Sequence, residues 1–92
     1  MLNELFAVIE DRKAHPVERS YTNRLLREGE DKILKKIGEE AIEVIVAAKG
    51  QGDQRVVEET ADLLYHVLVL LVARGQSLAD VEAELSRRHI NR

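Results

Sequence analysis

Cysteine and tryptophan are absent, proline occurs once, and aromatic side chains make up only 3% of the 92 residues. Without cysteine there are no disulfides and no thiolate metal sites. The shortage of aromatics counts against a β-rich fold, which leans on such residues and on frequent turns. A basic excess is missing too: 14 Lys and Arg face 17 Asp and Glu, for a formal net charge of −3. That balance disfavours sequence-independent binding to DNA or RNA, which needs a basic surface. The longest mostly apolar run, Leu63 to Ala73, falls well short of the ~20 residues of a membrane span and reads as a buried core helix. The N-terminus carries no basic segment followed by an apolar stretch, so no secretory signal is expected. The expectation is a cytoplasmic protein.

What is present is aliphatic and charged: Leu, Ile, Val and Ala dominate the apolar residues, and 34% of the chain is charged. The length suits one domain spanning residues 1–92. A domain this small leaves much apolar surface near the outside, so oligomerisation is expected.

Helical periodicity runs through the chain. Leu2, Leu5, Phe6 and Ile9 fall at i, i+3, i+4, i+7, the spacing of an amphipathic helix. Pro16 disfavours a helical His15 and marks its end. Residues 15–23, with Ser20, Tyr21 and Thr22, read as an irregular link, followed by a short helical turn over Asn23–Glu28. A long helix is expected from Glu30 to Lys49. Gly50, Gln51 and Gly52 then turn the chain. Asp53 is a candidate N-cap for a third helix over Gln54–Arg74, closed by Gly75. Ser77 with Asp80 resembles a capping pair, and Leu78, Val81 and Leu85 give a last helix to His89. The fold expected is all-α: a small bundle of four to five helices. Its apolar run covers nearly every side of one helix, so completion by homodimerisation is expected.

Two acidic motifs carry the chemistry. Glu39-Glu40-Ala41-Ile42-Glu43 and Glu59-Thr60-Ala61-Asp62 each place carboxylates at i, i+3, on one side of a helix. Glu43 and Glu59 both lie eight residues from Gln51, and Glu40 and Asp62 both lie eleven. An antiparallel hairpin about Gln51 therefore faces Glu43 with Glu59 and Glu40 with Asp62. Four convergent carboxylates repel: two unit charges 4 Å apart cost about 4 kcal/mol at an effective dielectric of 20. A cation, protonation or a wide separation must relieve this. Oxygen-only ligands favour Mg²⁺, with Mn²⁺ as a substitute, and magnesium commonly links carboxylates to phosphates. Solvated acidic helix faces are the bland alternative. Against it, Glu40 and Glu43 sit among Ile37, Ala41, Ile42, Val44, Ile45 and Val46, and Asp62 opens into the apolar run; carboxylates against a core are uncommon unless paired or ligating. Lys32 and Lys36 lie upstream of Glu40 at i, i+4 steps. Lys36 is placed either to meet a phosphate or to form a helix ion pair with Glu40; Lys35 stands in the same relation to Glu39.

The acidic pattern resembles the Glu-Glu-x-x-Glu…Glu-x-x-Asp signature of MazG-type all-helical nucleoside triphosphate pyrophosphohydrolases. More narrowly, four stretches resemble the phosphoribosyl-ATP pyrophosphohydrolase family of histidine biosynthesis. They are Ser20-Tyr21-Thr22, Lys35 to Val44, Ala47-Ala48-Lys49, and Glu59 to His66. The likeness extends from about Leu2 to Arg88. It implies hydrolysis of phosphoribosyl-ATP between its α and β phosphates, giving phosphoribosyl-AMP and pyrophosphate. It implies Mg²⁺ held by Glu40, Glu43, Glu59 and Asp62, with Glu39 orienting or deprotonating the attacking water. Lys36, with Lys32, Lys35 and Arg24, is implied to hold phosphates, and Ser20 and Thr22 to belong to a substrate loop. It also implies a homodimer. Some relatives are fused to a cyclohydrolase; this length leaves no room for one, so a separate protein is expected to take the product. A broader-specificity MazG-like pyrophosphohydrolase and a non-catalytic helical interaction module remain the alternatives.

Four further residues have ordinary explanations. His66, one turn after Asp62, is either a hydrogen-bonded core residue or a substrate contact. Gly38 inside a helix costs roughly 1 kcal/mol against Ala, which a close approach of helix or ligand would explain. Arg87 and Arg88 suit a solvent-facing helix C-terminus.

Overall fold

The computed structural model describes residues 1–89 and consists there of five helices with no strands. These are α1 (Leu2–Ala14), α2 (Tyr21–Glu28), α3 (Glu30–Gly50), α4 (Asp53–Ala73) and α5 (Leu78–His89). The all-α expectation is met. No helix among the described residues is long and apolar enough to cross a membrane.

Helix α1 buries Phe6 and Ile9 and leaves Leu2 in solvent, so its apolar stripe meets the core along half its length. It ends before Pro16, with the His15 backbone N–H donating to Asp11 O at 2.7 Å. The link to α2 is shorter than expected. Tyr21 and Thr22 belong to the helix, and Ser20 is its N-cap, the side-chain oxygen accepting from Asn23 N–H at 3.2 Å. A hydroxyl that satisfies one of the free N–H groups of a first turn starts a helix even where propensity is weak. Asn23 holds this link in place. Buried, it accepts from Val17 N–H at 2.7 Å and donates to Arg12 O at 2.6 Å.

Helices α3 and α4 form the long hairpin on which the candidate site lies. They meet at Gln51 and Gly52, and Gly52 has φ +87°, a conformation L side chains avoid. Gly52, not Asp53, precedes the first turn of α4, and no side chain caps it. Asp53 is instead the first helical residue, where its charge still favours the helix dipole. The other end of α4 closes in a Schellman arrangement: Gly75 (φ +70°) donates to Val72 O at 3.1 Å and Gln76 to Leu71 O at 2.9 Å.

One core joins all five helices. Ile9 of α1, Leu25 of α2, Ile33 of α3 and Val69 of α4 have essentially no exposure, and Phe6, Leu68, Val72 and Leu78 surround them. Helix α5 is capped by Ser77, whose hydroxyl accepts from Asp80 N–H at 3.1 Å, yet it buries only Leu78 and leaves Val81 and Leu85 exposed. Arg87 and Arg88 both pair with Glu84. Further aliphatic side chains stay exposed: Leu34, Ile42, Ile45 and Val46 on α3, and Val57 and Leu64 on α4.

Candidate metal centre

The hairpin brings Glu40 of α3 together with Glu59 and Asp62 of α4. One carboxylate oxygen from each lies within 4.8 Å of the other two. The convergence follows from the spacing about Gln51 and the i, i+3 placement of Glu59 and Asp62. Glu59 is buried, Glu40 half-buried and Asp62 exposed, so the group runs from the helix interface out to solvent. Glu43, one turn beyond Glu40, is exposed and outside this group. Glu39 is also exposed.

The donor set fits a hard divalent cation. All three ligands are carboxylate oxygens, and at Mg–O distances near 2.1 Å opposite oxygens stand about 4.2 Å apart. Small side-chain rotations close a spread of 4.8 Å to that value.

Two cations already neutralise part of the charge. Lys36 Nζ lies 3.6 Å from Glu40 Oε1, so the helix ion pair is the arrangement observed. Arg55 reaches both Glu58 and Glu59. These carboxylates hold its guanidinium above its ordinary range, and the same contact, with help from Gln54, lowers the Glu58 carboxyl. Asp62 has no basic partner among the described residues. Sequence reasoning missed Arg55. The signal was available: it stands four residues before Glu59, at ion-pair spacing.

The remaining candidates lie on α3, on α2 with its N-cap, and, for His66, on α4. Lys32 is half-buried and Lys35 exposed. Arg24 pairs with Glu28 at 3.7 Å and lies 5.4 Å from the centre of the Tyr21 ring. Thr22 Oγ1 bonds to the Tyr65 hydroxyl. His66 is 5% exposed and uses both ring nitrogens within the chain. Its Nδ1 lies 2.7 Å from Asp62 O, and a carbonyl only accepts, so Nδ1 carries the proton. In the neutral ring, Nε2 then accepts from the Tyr21 hydroxyl at 3.0 Å. Tyr21, Tyr65 and His66 pack together, with the tyrosine centroids 6.2 Å apart. Burial pushes the Tyr65 hydroxyl above its usual range, although the bond with Thr22 opposes this. Tyr21 and Thr22 thus tie α2 to His66 and Tyr65 of α4, about one turn after Asp62.

Surface grooves lie elsewhere on the described residues. One of about 320 Å³ runs between the end of α4 and α5, lined by Leu71, Val81, Leu85 and their neighbours. Another of about 470 Å³ lies between α1 and Gly75–Ser77. Neither contains a candidate acid. The convergence of donors, and not concavity, marks the site on this chain.

Fold and site together define an all-α protein with a carboxylate cluster set across an antiparallel helix pair. Comparison with known proteins narrows this class. The phosphoribosyl-ATP pyrophosphohydrolase family (PRA-PH) matches residues 2–89. Phosphoribosyl-ATP pyrophosphatase of Lactiplantibacillus plantarum is 58% identical over 87 residues, covering 95% of this chain and 82% of that protein. The protein of the same name from Listeria welshimeri is 56% identical over 88 residues, covering 96% and 84%. The histidine biosynthesis bifunctional protein HisIE of Caldanaerobacter subterraneus is 51% identical over 89 residues, which make up 97% of this chain but 43% of that protein. The chain belongs to the phosphoribosyl-ATP pyrophosphohydrolase family.

Proposed function

We propose that this protein is a hydrolase that converts phosphoribosyl-ATP to phosphoribosyl-AMP and pyrophosphate, a step of histidine biosynthesis. The observation that carries the reading is the cluster of Glu40, Glu59 and Asp62 in a chain matched by this family over residues 2–89. Water attacks phosphorus, the α–β phosphoanhydride bond breaks, and pyrophosphate leaves with the bridging oxygen.

In this reading Glu40, Glu59 and Asp62 hold Mg²⁺, and Glu43 joins them by a change of side-chain conformation. Mg²⁺ bound there offsets charge on the phosphate oxygens and on the leaving group. Glu39 orients the attacking water or takes its proton. Lys36 exchanges its bond to Glu40 for a phosphate oxygen, and Lys32, Lys35 and Arg24 supply further positive charge. Ser20, Thr22 and His66 serve chiefly as the frame behind the acids, since their side chains already bond within the chain. Residues 1–92 act as one catalytic domain. It works as a homodimer, which is supported by the exposed Leu34, Ile42, Ile45, Val46, Val57 and Leu64; a lone protomer seldom leaves so many aliphatics in water on one helix pair. A separate cyclohydrolase then takes the product, and bifunctional relatives such as the HisIE protein supply the precedent for coupling two activities.

The experiment is pyrophosphate release from phosphoribosyl-ATP, compared with ATP, dCTP and dUTP, with and without Mg²⁺. Magnesium-dependent turnover of phosphoribosyl-ATP well above the others is the expected result. Equal turnover of the plain triphosphates removes the substrate assignment, and no turnover of any removes the catalytic one.

A further inference from the structure

Arg55 has a position that the ligand scheme above does not use. It lies one turn before Glu59 on α4, and its guanidinium contacts that carboxylate through Nη2 while Nη1 contacts Glu58. Glu59 is the most buried of the three clustered acids, with its side chain 7% exposed, whereas that of Arg55 is 46% exposed. A half-exposed cation is therefore anchored on the most buried acid of the cluster.

We propose that Arg55 is an exchangeable counter-ion: it occupies Glu59 in the metal-free protein and moves to the diphosphate group of the substrate when the carboxylates take a divalent cation. The inference rests on the metal-centre reading above. Its physical basis is competition between like charges. A guanidinium and a divalent ion on the same carboxylate repel at a few ångströms, and the partner with the exposed stem is the one free to swing away. The guanidinium then needs a new anion. Its planar fork of N–H donors matches two phosphate oxygens as well as it matches a carboxylate. Glu58, which shares Arg55 in the metal-free protein, is exposed and loses little when the guanidinium departs.

The exchange predicts opposite effects on two affinities. Without nucleotide, Arg55→Gln binds Mn²⁺ about fivefold more tightly than wild type, the scale of removing a partly exposed ion pair that competes for the site. Inorganic pyrophosphate supplied as its Mn²⁺ complex binds that variant about tenfold more weakly, for loss of a charge-assisted contact. Arg55→Lys, which keeps the charge but not the fork, falls between the two in both measurements. Free Mn²⁺ is read by electron paramagnetic resonance and labelled pyrophosphate by equilibrium dialysis, with circular dichroism confirming that the variants fold. Equal or weaker Mn²⁺ binding by Arg55→Gln overturns the exchange, because Arg55 is then a fixed brace for Glu59. Unchanged pyrophosphate affinity overturns it as well. Glu59→Gln separates the two levels of argument. Wild-type Mn²⁺ binding that survives this substitution defeats the metal centre itself, whereas binding lost in Glu59→Gln but unaltered in Arg55→Gln defeats the exchange alone.

Discussion

Replacing Asp62 by Asn should raise the stability of the metal-free protein and sharply reduce its response to magnesium. The substitution keeps shape and removes one of three charges whose oxygens lie within 4.8 Å of one another. Two unit charges at that separation repel by about 0.9 kcal/mol in bulk water and about 3.5 kcal/mol at an effective dielectric of 20. Asp62 is exposed, so the lower figure governs, and its two repulsions sum to just under about 2 kcal/mol. Attraction to the cations held on Glu40 and Glu59 is lost at the same time and offsets part of this. A net gain of about 1 kcal/mol at low ionic strength follows, shrinking as salt screens the exposed charge. For a domain of this size that gain corresponds to a rise in melting temperature of about 4–8 °C. On the metal-centre reading, magnesium should reverse the ranking. Wild type gains about 2.7 kcal/mol when the ion is at a hundred times its dissociation constant, and the variant, short of one ligand, gains far less. Thermal melts by circular dichroism, with and without MgCl₂ at constant ionic strength, read both effects. If Asp62→Asn melts below wild type without metal, or gains as much from magnesium, the electrostatic account of the cluster is wrong.

Three other outcomes test different parts of the structure. Tyr65 becomes the sole tyrosine in Tyr21→Phe, and its ultraviolet titration should lie above the ordinary value near 10, because burial raises it. A raised value means that its contribution to stability is intact below about pH 10 and fades as pH climbs through the folded-state value; a normal titration would show Tyr65 to be solvated. Gly38→Ala meets open space on this chain and should stabilise α3 by about 1 kcal/mol, read as a rise in urea midpoint; a fall would mean that another chain or a ligand packs against Gly38. Ile33→Ala, at a fully buried position shared by α3 and the core, should cost about 2–5 kcal/mol in urea denaturation, and a loss below about 1 kcal/mol would contradict the packing assigned to that helix.

Legibility of the sequence followed the strength of each local signal. Helices α1, α3, α4 and α5 were readable because their apolar residues recur at helical spacing and because Pro16 and Gly75 punctuate them. The start of α2 was not. Its first turn holds Tyr21 and Thr22, residues of indifferent helix propensity, and what starts it is the Ser20 cap with Asn23 bonded to both Val17 and Arg12. A contact between residues eleven apart leaves no periodic trace. Asp53 was misplaced by one position for a related reason. Asp is a good N-cap by type, but the hairpin geometry puts Gly52 there because the turn requires a positive φ.

The acids show the same division between spacing and environment. The spacing about Gln51 brought Glu40, Glu59 and Asp62 to one place, since a hairpin of two regular helices converts sequence distance into position, but the expected facing of Glu43 with Glu59 is not seen. It treated Glu43 and Glu59 as equals, yet Glu59 is buried and Glu43 exposed. The cause is that α4 packs its inner face on the core while the outer turns of α3 near Ile42 and Ile45 face away from it. Burial is a property of what lies opposite, which spacing does not encode. Exposure of the same face explains why Glu43 stands apart: the helix turn that carries it also carries Ile42, Ile45 and Val46, exposed among the described residues. A second protomer over Ile42, Ile45 and Val46 would enclose that turn. The fourth carboxylate and the dimer are therefore linked expectations. Ile45→Glu should dissociate the protein by sedimentation and weaken Mn²⁺ binding together. Dissociation with unchanged Mn²⁺ affinity would separate them, leaving three carboxylates sufficient for the metal.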